Sequence, residues 1–372
     1  MKPKIAVFGN ARNVGYITAG DLSLAGYEVN LLELPEFQQT IAPIQEAGGI
    51  QLAGDKQTLI SGMIGFAELN TVTTDAGEAL EGVDVIFVDV PVFDYETRLK
   101  TIAPYLRDGQ ILYFNTYGYW ACLRVANILK QLGKKNVILT ESPAPIYNAG
   151  TKNGQVVSTC LRNRLPVAAF PSNKGREAVD VLKSMYPNLE MAKNVLQTNF
   201  ENINLLVHPG IGILNIGYFD RAEEKGDTVG FYSIGNTIHA GILSEAQDRE
   251  RIPVCQAYDI PYTSLREHII HYYGSSGETV CEAIANCKFY QSIPPLPADI
   301  WVQWFKPDLL FAHVPFVLLA DLAGISTPIH TAIVEISGAV LETDFWKDGL
   351  TLDKLGLSGL TIKEVIRYVT QG

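Results

Sequence analysis

Two groups of residues in this sequence have types and spacings suited to chemistry. The first is Gly9-Asn-Ala-Arg-Asn-Val-Gly15, directly behind the apolar run KIAVFG, with Glu33 standing 24 residues beyond Gly9. Small residues in a strand-to-helix turn let backbone N–H groups approach a pyrophosphate at the positive end of the helix. Gly9, Asn10, Ala11, Arg12, Asn13, Val14 and Gly15 are therefore expected to touch a dinucleotide. Glu33, ending the next strand, is expected to accept from the adenine ribose hydroxyls and so to favour NAD over NADP. The loop departs twice from the usual G-x-G-x-x-G: Ala11 takes the second glycine position, and one extra residue precedes Gly15. Arg12 leaves NADP open, since it suits either a pyrophosphate or a 2′-phosphate. In VDVP (88–91), Val90 and Pro91 are expected on the nicotinamide side.

The second group centres on His208, an ionisable ring inside the otherwise apolar NLLVHPGIGILN (204–215). Hydride transfer to a C=O or C=N bond needs an acid at the acceptor, and imidazole suits that near neutral pH. A histidine satisfied within the core is the plain alternative. Pro209 disfavours helical backbone at the residue before it, so the helix is expected to end or bend at His208 and turn the ring toward a cleft.

Continuous Val/Ile/Phe-rich runs at 4–9, 27–34, 83–91, 110–115 and 136–142 read as strands buried on both faces. Helical stretches at 15–25 and Cys122–Leu132, the latter stopped by Gly133, alternate with them. This predicts an α/β Rossmann-type domain with a parallel, doubly wound sheet over 1–190, and a mainly α-helical domain over 191–372. The stretch 143–195 reads as mixed strand and loop. Ser264-Leu-Arg-Glu267 and Thr361-Ile-Lys-Glu364 match capping boxes, and Thr327-Pro328 reads as a cap followed by proline.

A chain of 372 residues, 47% hydrophobic and 19% charged, suits two globular domains. Its net charge of −11, without a basic cluster, argues against nucleic acid or an anionic membrane as partner. Five scattered cysteines read as reduced thiols. With no signal-like start and no clean apolar run of spanning length, a cytoplasmic location is expected. The long apolar C-terminal helices point to a homodimer. His268, His271, Cys281 and Cys287 lack the spacing of a zinc site, so no metal is expected. His313 and His330, within apolar helices, read as core or domain-interface residues.

Four segments resemble the opine dehydrogenases, the NAD/NADP octopine/nopaline dehydrogenase family. They are NFENINLLVHPGIGILNIG (199–217), Asp248-Arg-Glu-Arg251, PDLLFAHVPFVLLADLAGISTP (307–328) and TTDAGEALEGVDVIFVDVP (73–91). The resemblance implies that an amine or amino acid condenses with a 2-oxo acid and that the imine is reduced by NAD(P)H. It makes His208 the general acid/base and Asp308 its partner carboxylate. Asn202 would position the substrate or the nicotinamide carboxamide, with Tyr147 near the cleft. Octopine-type members carry an arginine five residues before the aspartate; here Gln303 stands there, Lys306 follows, and Pro307 replaces a glutamate. Lysine binds a carboxylate as a point charge, without the two-pronged fork of arginine. On its own terms Asp308 also reads as the N-cap of an apolar helix. Two other readings stay open: a ketopantoate- or glycerol-phosphate-type reductase, which would need a catalytic lysine, and a non-catalytic NAD(H) sensor.

Overall fold

A computed structural model describes residues 2–9, 11–134 and 136–372; Asn10 of the glycine loop lies outside them. The chain forms two compact units, one of residues up to Thr198 together with Val369–Gly372, the other of Asn199–Tyr368.

The first unit is built on an eight-stranded sheet. Its strands are β1 (Ile5–Phe8), β2 (Val29–Leu32), β3 (Thr71–Thr73), β4 (Val85–Val88), β5 (Ile111–Phe114), β6 (Ile138–Glu141), β7 (Leu165–Phe170) and β8 (Leu189–Met191). The order is β8-β7-β6-β5-β4-β1-β2-β3. Strands β1 to β6 pair in parallel, with Ile5 opposite both Val29 and Val85, while β7 runs antiparallel to β6. Every residue of β1 is fully buried. That explains the unbroken apolar runs, because helices cover both faces of a parallel sheet. The expected Rossmann-type architecture is present.

Part of the 143–195 stretch adds something the sequence pattern does not predict. Tyr147–Lys152 and Gln155–Leu161 form a hairpin that joins Gly49–Gly54 and Gly65–Glu68 in a second sheet of four strands. Asp21, fully buried on α1 (Asn13–Leu24), anchors this sheet: it accepts from Ile60 N (2.7 Å), Ser61 N (3.0 Å) and the Tyr147 hydroxyl. Tyr147, expected near the substrate, is thus a fully buried structural residue whose hydroxyl is already spent on Asp21.

The second unit is helical. Five of its helices bear on function: α2 (Asn204–Leu214), α3 (Ile238–Ala257), α4 (Ile300–Asp308), α5 (Val314–Leu322) and α6 (Pro328–Val340). A π-helical stretch, Leu309–His313, joins α4 to α5. Of the two outcomes expected at Pro209, an end or a bend, the end does not occur: α2 runs through His208-Pro209 to Leu214. A proline inside a helix leaves the carbonyl four residues back without its donor. That carbonyl is Leu205 O, and Gln247 Nε2 from α3 donates to it at 3.1 Å. Gly210 completes the arrangement, since a Cβ there would lie 2.6 Å from both Ala240 O and Ser244 Oγ. The segment His-Pro-Gly therefore joins α2 closely to α3 without breaking the helix.

Both capping boxes form. Thr327, however, makes no side-chain cap. The α6 amides of Ile329 and His330 donate instead to the Glu250 carboxylate, at 2.8 and 3.1 Å. A full negative charge at a helix N-terminus serves better than a hydroxyl dipole. His313 and His330 are fully buried with their Nδ1 atoms 3.2 Å apart. Burial drives both pKa values down, that of His330 to about 3, so both rings are neutral. Among the described residues, no helix is long and apolar enough to cross a membrane.

Candidate active site

Within the second unit, α2 presents His208 and α4 presents Asp308, with His208 Nδ1 2.7 Å from Asp308 Oδ2. Asp308 is fully buried, and His208 retains 5% exposure. The aspartate does not cap a helix start: it closes α4 and the chain continues helically through the π-helical stretch into α5. Inserted π turns often occur where a helix must aim particular side chains. Trp304, one turn before Asp308, shares the face that meets His208; its ring stacks on the imidazole at 27° with centroids 6.1 Å apart. Phe231 stands edge-on at 5.6 Å.

The second ring nitrogen, His208 Nε2, lies 2.9 Å from the Tyr232 hydroxyl. A carboxylate only accepts, so the hydrogen-bond network assigns the Nδ1–H tautomer, leaving Nε2 to accept from Tyr232. The arrangement is an orienting carboxylate, a ring fixed in one tautomer, and a basic nitrogen facing a hydroxyl. That set can take up and release a proton at one defined atom.

The other residues expected near the substrate behave differently. Asn202 is buried, and its Oδ1 accepts from Asn204 N at 3.0 Å as α2 begins. Gln303 is exposed, with Nε2 3.5 Å from the Asp299 carboxylate. Lys306 is half-buried. Neither Gln303 nor Lys306 shares the Trp304/Asp308 face of α4. Tyr232 and Trp304 escaped the sequence reading. The four-residue spacing from Trp304 to Asp308 was an available signal, whereas nothing in the sequence ties Tyr232 to His208.

In the first unit, the glycine loop passes from β1 into α1 with the tight geometry its residues demand. A Cβ at Gly9 would lie 2.6 Å from Glu33 Oε1, and one at Gly15 2.7 Å from Gly9 Cα. Ala11 sits at φ 55°, a left-handed conformation that glycine adopts more easily. Asn13 and Val14 form the first turn of α1. A cavity of about 180 Å³ opens beside the loop, lined by Arg12, Val14, Asp89, Asn115, Thr116 and Asn148 among others. These residues fit a dinucleotide: close backbone, an open helix N-terminus and a half-exposed Arg12.

One expectation for the loop changes and one gains a second role. Glu33 is buried under the loop, with Oε2 accepting from Ala11 N at 2.8 Å, while its Oε1 makes no hydrogen bond among the described residues. Val90 is buried in the core and Pro91 does not line the cavity; Asp89 does, because alternation at the strand end turns its carboxylate the other way. Asp89 Oδ1 lies 3.9 Å from Arg12.

Burial raises the pKa of Glu33 to about 7 and that of Asp89 to about 6. Both groups hold protons more tightly in the folded than in the unfolded chain. Their contribution to stability is therefore present at low pH and is lost as pH rises through about 6 and then about 7. Glu33→Gln removes one of these titrations. Urea unfolding is expected to show the variant gaining stability over the natural protein as pH goes from about 5 to about 8. A difference that does not change with pH would refute the burial of an ionisable group at this place.

Residues 191–341 match the family described as the NAD/NADP octopine/nopaline dehydrogenase, alpha-helical domain. The opine dehydrogenase of Arthrobacter sp. (strain 1C) is 30% identical over 350 residues, covering 94% of each chain. A solved octopine dehydrogenase with NADH and L-arginine has the same fold, with a TM-score of 0.75 at 18% identity over 98% of both chains. A yersinopine dehydrogenase with NADP+ aligns with a TM-score of 0.68 at 14% identity, over 100% of this chain and 98% of that one. Fold and relatives together define an NAD(P)-dependent oxidoreductase acting on CH–NH bonds. The chain belongs to the opine dehydrogenase family.

Proposed function

We propose that the protein joins an amino acid or amine to a 2-oxo acid through an imine and reduces that imine to a secondary amine, with His208 as general acid/base and Asp308 as its orienting carboxylate. The observation that carries this reading is the 2.7 Å contact between His208 Nδ1 and the fully buried Asp308. Solved octopine dehydrogenases hold L-arginine, agmatine or pyruvate alongside NADH, an amino acid, an amine and a 2-oxo acid in turn. The bound dinucleotide supplies the hydride. The chain's own residues supply the rest: Asp308 holds the tautomer, His208 gives and takes the proton, and Trp304 offers a π face that favours the imidazolium.

Gly9, Ala11, Arg12, Asn13, Val14 and Gly15 hold the pyrophosphate, braced from beneath by Glu33. NAD is the preferred cofactor in this reading, since Glu33 follows β2 with Oε1 uncommitted among the described residues, where it accepts from ribose hydroxyls and leaves no place for a 2′-phosphate. Lys306, the cation nearest in sequence to Asp308, lies off the Trp304/Asp308 face of α4, so it is given no substrate contact in this reading. With Gln303 where octopine-type enzymes carry arginine, the amine either differs from the arginine those enzymes use or lacks a carboxylate at that point. Asn202 acts by fixing the start of α2.

The test is oxidation of NADH, and separately of NADPH, against a matrix of 2-oxo acids with and without each amine. Turnover is expected only when both partners are present, and faster with NADH. Turnover with a 2-oxo acid alone would replace this reading with a simple oxo-acid reductase, and tight NADH binding without any turnover would replace it with a sensor.

A further inference from the structure

We propose that Tyr232 is a third member of the acid/base unit, its hydroxyl being the group that meets the substrate while His208 resupplies its proton. The inference rests on the reading of His208 as acid/base and deepens it.

His208 has two nitrogens, and both are occupied. Nδ1 faces Asp308 at 2.7 Å and Nε2 faces Tyr232 Oη at 2.9 Å. The ring is 5% exposed and its neighbours Phe231 and Trp304 cover its edge and face. A substrate atom reaching Nε2 directly would have to displace the tyrosine. Packing holds that tyrosine in place. Its ring centroid lies 4.4 Å from that of Tyr290, 5.0 Å from that of Phe231 and 6.1 Å from that of Trp304, and the residue is 6% exposed. Moving it aside would break three aromatic contacts, whose ring geometry stabilises beyond the area it buries. Leaving it in place costs nothing, because a phenol both donates and accepts.

The proton path balances. When the amine has added to the 2-oxo acid, the carbinolamine must lose its oxygen as water. The Tyr232 hydroxyl gives its proton to that oxygen as the C–O bond breaks, with the nitrogen lone pair forming the C=N bond. The phenolate oxygen takes the Nε2 proton of the imidazolium, which becomes neutral and keeps Nδ1–H on Asp308. The imidazolium proton is the one that the substrate ammonium group loses, through Tyr232, before its nitrogen adds to the 2-oxo acid, so the protons close over the cycle. No oxidant or reductant enters this step; the dinucleotide's hydride is used only afterwards, on the imine carbon.

Three measurements on the full-length protein test the assignment. Tyr232→Phe keeps the ring and its packing, and it is expected to lower kcat about 10²–10³-fold, in the range of one positioned acid/base group, with the Kd for NADH unchanged. A 3-fluorotyrosine at position 232, whose phenol is more acidic, is expected to retain turnover and shift a limb of the kcat–pH profile toward lower pH. A packing role predicts no such shift. His208→Asn serves as the reference. If it is inactive while Tyr232→Phe keeps more than about a third of the natural kcat, or while the fluorinated protein keeps the natural pH profile, the tyrosine assignment is overturned and the histidine reading stands. If His208→Asn itself is fully active, the underlying reading fails.

Discussion

Asp308→Asn is expected to lower kcat/KM by about 10³–10⁴-fold with little change in the unfolding midpoint. The two side chains have nearly the same shape, so the buried site stays filled. What changes is the hydrogen-bond direction. An amide nitrogen turned toward Nδ1 donates, the ring then carries its proton on Nε2, and the nitrogen that faces Tyr232 no longer accepts. His208→Ala removes the group outright and is expected to cost about 10²–10⁴-fold. Steady-state kinetics with NADH, amine and 2-oxo acid give both numbers. A loss below tenfold for Asp308→Asn would show that the contact with His208 is structural.

The largest expected effect on stability falls elsewhere in the helical unit. Arg251 on α3 is 1% exposed at its side chain, and its Nη1 donates to Asp248 Oδ1 at 2.6 Å. The other oxygen of Asp248 accepts from Leu265 N at 2.8 Å and from the Tyr262 hydroxyl at 3.0 Å. One carboxylate thus pairs a buried cation, begins the helix that follows Ser264 and fixes an aromatic ring. Asp248→Ala strands the guanidinium without that partner and leaves the Leu265 amide unbonded. Breaking such a buried pair costs about 3–5 kcal/mol. Equilibrium urea unfolding measures it; a loss under about 1 kcal/mol would mean that the neighbouring Glu201, which also favours the charged Arg251, carries the cation alone.

The parallel sheet was legible because strands buried on both faces leave no polar alternation to confuse, and β1, β2, β4, β5 and β6 all lie inside the runs read from sequence. The joining of His208 and Asp308 was legible only through family resemblance, since no local rule links residues so far apart in the chain. Local rules misled where a distant side chain changed the outcome. Pro209 should end or bend a helix, yet α2 runs on and Gln247 takes over the abandoned carbonyl. Thr327 should cap α6, yet Glu250 does so from another helix. Tyr147 has the right chemistry for a ligand contact but is consumed by its internal bond to Asp21. Tyr232 could not be found at all, because its role depends on a hydroxyl arriving 2.9 Å from Nε2 through tertiary packing.

The most direct test of the acid/base unit is a double-mutant cycle on kcat/KM with His208→Ala, Asp308→Asn and the two combined. Groups that act as one unit give a double variant about as slow as the slower single variant. Losses that multiply would mean that His208 and Asp308 serve the reaction independently, and the pair described here would not be its catalyst.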